Sequence, residues 1–65
     1  MLFKIKVTLE SGKTYTVISE SAGAAYKDET AKLKNLAIMN GGSVSDADRV
    51  KSTDTLGVVG ERMAG

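Results

Sequence analysis

Between Leu2 and Val17 apolar and polar residues alternate on either side of a Glu10-Ser11-Gly12 turn, and that pattern constrains the first third of the chain more than any other feature. Phe3, Ile5, Val7 and Leu9 fall on one face of a strand, and Lys4, Lys6 and Thr8 on the other. Tyr15 and Val17 are the matching inward pair of a second strand, so odd positions must oppose odd positions. A two-residue Ser11-Gly12 loop would set Leu9 against Thr14 and bury the wrong face. The three-residue loop Glu10-Ser11-Gly12 sets Val7 against Tyr15 and Ile5 against Val17. Gly12 then takes the left-handed position that closes a type I turn with a bulge.

Ser21 is an N-cap residue and Asn40-Gly41-Gly42 a stop signal, which predicts a helix from Ala22 to Met39. Ala22, Ala25, Tyr26, Leu33, Leu36 and Ala37 form the stripe expected to lie on the apolar face of the hairpin. A third strand over Asp48 to Thr53, anchored by Val50, follows the Gly-Gly turn. A right-handed crossover places it beside the first strand. The expected fold is α+β: an antiparallel three-stranded sheet in a ββαβ layout, order 2-1-3, with one helix packed on one face. Residues 1–65 form a single small domain. In the segment 56–65 two glycines, Gly57 and Gly60, interrupt Leu56, Val58, Val59 and Met63, and the pattern fits no period. Val58, Val59 and Met63 are expected to pack on their own domain or on a sister subunit, since an exposed cluster of this kind promotes aggregation.

The run Val7-Thr8-Leu9-Glu10-Ser11-Gly12-Lys13-Thr14-Tyr15-Thr16-Val17 resembles the opening hairpin of ubiquitin-like β-grasp domains, including the Gly-Lys-Thr after the turn. The likeness ends with the hairpin and implies a helix laid across it. It implies no conjugation chemistry, because the fourth strand and terminal Gly-Gly tail are missing. A short hairpin, a Ser- and Ala-rich helix and a weak last strand also resemble the layout of small accessory proteins of bacteriophages.

The chain has 65 residues with no Cys and no His, which removes disulfides, zinc-thiolate sites and the commonest catalytic base. Gly12-Lys13-Thr14 ends like a P-loop, but Val7 stands where the earlier glycine belongs and a strand follows. Asp46, Asp48 and Asp54 fall short of a calcium loop, since Lys51 occupies the glycine position and no glutamate closes it. No catalytic, cofactor-binding or metal-binding residues are assigned, and an enzyme is not expected. No apolar run is long enough for a membrane span or a signal peptide, so the expected location is cytoplasmic.

Two surfaces remain as partner-binding candidates. The outer sheet face gathers Lys4, Lys6, Arg49 and Lys51 among threonines Thr8, Thr14, Thr16 and Thr53. On the outer side of the helix Ala24, Ala31 and Ile38 recur at a spacing of seven, with Met39 beside Ile38, a spacing that can seat another helix. The net charge of only +1 and the lack of outward aromatics argue against sequence-specific RNA reading. The expectation is therefore a non-enzymatic protein-interaction module of an accessory or inhibitory kind, acting on a partner protein surface as a homodimer. Binding of single-stranded nucleic acid through the basic face is the second reading, and a small structural assembly subunit the third.

Overall fold

A computed structural model describes residues 1–60. Strand β1 (Leu2–Leu9) is central, flanked by β2 (Thr14–Ser19) and β3 (Val50–Gly60) in the order β2-β1-β3, with both pairings antiparallel. Val7 lies opposite Tyr15 and Ile5 opposite Val17, the register that alternation demands. In the hairpin loop the Gly12 amide donates to the Leu9 carbonyl at 2.9 Å, and the Leu9 amide to the Lys13 carbonyl at 2.8 Å. Gly12 adopts φ +96°, a region L side chains avoid.

Helix α1 (Ala22–Met39) begins where Ser21 Oγ accepts from the Ala24 amide at 3.0 Å. It stops in a Schellman arrangement: Gly41 at φ +86° donates to the Ile38 carbonyl at 3.0 Å, and Gly42 to the Ala37 carbonyl at 2.9 Å. A 3₁₀ turn (Val44–Asp46) leads into β3, with the Asp46 carboxylate accepting from the Ser43 amide at 2.8 Å. Ile5 and Val7 are fully enclosed, and Val7, Leu9 and Val50 form a core against which Tyr15, Val17 and Leu33 pack.

Three expectations are corrected. The buried helix positions are Ala25 and Glu29, whereas Tyr26 and Leu36, read as part of the buried stripe, are 45% and 47% exposed. The third strand runs past Thr53 as far as Gly60, so Leu56–Gly60 belongs to the sheet. It is also irregular. Eleven residues of β3 pair with eight of β1 through three register shifts, which leave Lys51, Leu56 and Val59 as extra residues. The bulge at Lys51 reverses the faces beyond it: Thr53 pairs with inward Val7, and its hydroxyl donates to the Ala22 carbonyl at 3.0 Å. Thr53 is therefore a helix contact, not part of the outer face. Met63 lies outside the described residues.

Gly12→Ala is expected to cost about 1–2 kcal/mol, because an L residue there carries the left-handed penalty. Gly57→Ala is expected to be neutral or slightly stabilising, since a Cβ there meets nothing within 4 Å and the backbone is not left-handed. Chemical denaturation of both variants beside the parent reads the difference.

Candidate interaction surface

Where α1 meets the sheet, Glu29 is only 5% exposed. A buried carboxylate is costly unless its oxygens are satisfied. Here Tyr15 Oη donates to Glu29 Oε1 at 2.6 Å, and Lys32 Nζ stands 3.2 Å from Oε2. Burial, then the hydrogen bond to Glu29 and the nearby charges of Glu29 and Asp48, push the Tyr15 phenol up to about 12. The pair is a donor–acceptor clamp between β2 and the helix. A phenol held so firmly protonated is a poor base, and its proton is already committed to the carboxylate.

A second tie joins segments 37 residues apart. Asp48, expected to open the third strand, instead precedes it and accepts from the Ser11 hydroxyl, from the Ser11 amide at 3.3 Å and from the Arg49 amide at 2.9 Å. The Ser11 hydroxyl, followed by the Arg49 and Ser11 amides and the charge of Lys13, holds this carboxyl below its usual range, with desolvation opposing. Next to it the Glu10 amide donates to the Arg49 carbonyl at 2.8 Å. The hairpin turn is thus pinned to the entrance of β3.

Of the four basic residues assigned to the outer sheet face, Lys4 and Lys6 do lie there together, exposed on the central strand. Lys51 is exposed at the bulge, and Arg49 lines a cleft beside the helix. Asp54 pairs across from Lys6, so an acidic residue shares the face. On the helix Ala24 is half-buried and Ala31 exposed, while Ile38 and Met39 stand 53% and 80% exposed at its end.

The surface with the most apolar exposure takes in Val58 and Val59, expected from the sequence to pack on their own domain or on a sister subunit, and adds residues not grouped with them there. Met1, Ile18, Leu56, Val58 and Val59 are each more than half exposed. Pairing gathers them at one end of the sheet: Ile18 opposite Lys4, Val58 opposite Phe3, Leu56 and Val59 at the two bulges alongside, and Met1 just before β1. No residue of β2, and none from Thr55 to Gly60 in β3, is charged. These are the two edge strands of the sheet.

Comparison with known protein families, curated proteins and solved structures found no match. Among the described residues no helix is long and apolar enough to cross a membrane, and no group of three or more acidic side chains is placed to hold a metal ion.

Tyr15→Phe is expected to destabilise the domain by about 1–3 kcal/mol, because it removes a hydrogen bond to a buried charge. The folded phenol keeps its proton above the ordinary value of 10.0, so the parent binds more protons folded than unfolded and loses stability between about pH 10 and 12. Denaturation across that range should show this contribution to the alkaline fall in the parent and not in Tyr15→Phe. At the other extreme, Ser11→Ala should lower the melting temperature at neutral pH. The depressed Asp48 carboxyl contributes stability above the ordinary aspartate range and loses it as pH falls through its folded value, so the Ser11→Ala effect should fade in strong acid.

Proposed function

We propose that this domain is a non-enzymatic protein-interaction module that self-associates as a homodimer through the apolar end of its sheet and in that form occupies the surface of a partner protein. The observation that carries the reading is the exposure, at one end of the sheet, of Ile18 on one edge strand and of Leu56, Val58 and Val59 on the other, beside uncharged edge-strand backbone. Soluble domains ordinarily protect such edges with charges and keep exposed apolar patches small. A second copy is the simplest occupant. A two-fold contact along the β3 edge sets apolar residues against apolar residues, since no charged side chain lies between Thr55 and Gly60. A chain without cysteine suits a reducing compartment, in keeping with a cytoplasmic location.

The nucleic-acid reading has less support. Asp54 stands opposite Lys6 and Arg49 lines the helix-side cleft, so the outer face is less basic than its sequence promised.

Absolute molar mass measured from micromolar to millimolar concentration should show a dimer for the parent chain. Val58→Lys should give a monomer whose circular dichroism is unchanged, whereas Lys6→Glu should leave the dimer intact. A parent that stays monomeric throughout, or a Val58→Lys variant that dimerises as the parent does, overturns the reading.

A further inference from the structure

At the opposite end of β1 from the apolar cluster, the helix, the 3₁₀ turn and the start of β3 do not close on one another. Between them lies a cleft of about 550 Å³, within the range of about 300–1,000 Å³ found for small-molecule sites. Val50, buried in the core, forms part of its lining, and Tyr26 and Val44, each nearly half exposed, are its larger apolar groups. This is why Tyr26 does not pack under the helix: its ring belongs to the cleft.

Five polar side chains join that apolar lining: Thr30, Lys34, Ser45, Asp48 and Arg49. Thr30 Oγ1 is buried yet has no hydrogen-bond partner among the described residues, which is a costly state for a hydroxyl. Lys34 and Arg49 are exposed, and neither forms a salt bridge among the described residues. Asp48 is the acidic residue of the lining, and its oxygens are taken by Ser11 and by the Arg49 amide. Asp48 keeps its charge, and two cations against one carboxylate leave the lining with a net positive side-chain charge.

We propose that this cleft binds a small organic anion, with an aromatic or aliphatic body against Tyr26, Val44 and Val50 and a carboxylate or phosphate head group held by Lys34 and Arg49. An isolated cation pair on a surface would attract any anion weakly. What gives this site selectivity is the apolar lining, which rewards a ligand carrying a body as well as a charge.

The test is a titration of the isotope-labelled full chain, followed by amide chemical shifts, with phenylacetate, phenyl phosphate and the neutral phenylacetamide. Saturable shifts centred on Tyr26, Thr30, Val44 and Val50 are expected with at least one of the two anions, and whichever binds more tightly identifies the head group. Phenylacetamide should bind at least about tenfold more weakly, a difference of about 1.4 kcal/mol. Arg49→Gln, at an exposed side chain, should weaken anion binding about fivefold or more, as expected for loss of a charged partner. Lys34→Gln, at the other exposed cation, should weaken it as well. Absence of saturable shifts with both anions at millimolar concentration, equal binding of phenylacetamide, or unchanged binding in both variants would overturn the proposal.

Discussion

The seat of the helix on the sheet depends on one buried carboxylate. Apolar contacts are non-directional and would let an alanine-rich helix rotate or slide over the hairpin. A hydrogen bond has a direction and a length. With Glu29 turned inward to the Tyr15 hydroxyl at 2.6 Å, the helix has one rotation about its axis, and the Thr53 bond to the Ala22 carbonyl fixes its start along the sheet. That rotation puts Ala25 and Leu33 on the core and turns Tyr26 away from it into the cleft. Removing the carboxylate's partner would leave a buried charge short of a donor, and so the tie resists piecemeal loss.

Small size accounts for much of the rest. Among the described residues only Ile5, Val7, Leu9, Ala25 and Val50 are buried apolar side chains, while ten large apolar side chains are exposed. A chain of 65 residues cannot enclose all its apolar surface in one core, and domains in that position gain stability by association. The surplus is segregated. One end of β1 carries Ile18, Val58 and the bulged Leu56 and Val59 of β3, and the other end faces the cleft with its two cations. The central strand thus joins a surface suited to a second copy with a site suited to a small anion.

What could be read in the sequence was what neighbours in the chain decide. The hairpin register followed from alternation and loop length, and the helix bounds from Ser21 and the Asn40-Gly41-Gly42 stop. The face of Lys4 and Lys6 followed in the same way. β3 was harder, because its bulges at Lys51, Leu56 and Val59 arise from pairing with a distant strand and leave no periodic trace. Strict alternation from Val50 turned Thr53 outward, and one extra residue turned it in. Glu29 was hidden for another reason, since a carboxylate on a helix ordinarily reads as solvated. The available signal was Tyr15, whose inward position obliges its hydroxyl to find an acceptor. The apolar end was legible only in part, as Val58 and Val59, because Leu56–Gly60 fits no period and Ile18 and Met1 come to the same end only through pairing with β1.

On the proposed reading, this fold draws part of its stability from a contact between copies. The most direct measurement is the thermal midpoint of the parent chain across a wide range of protein concentration. Linkage requires the midpoint to rise with concentration if association stabilises the folded state. A midpoint that stays constant across the range would contradict the account, and would mean that the small core and its buried Glu29–Tyr15 tie hold the fold alone.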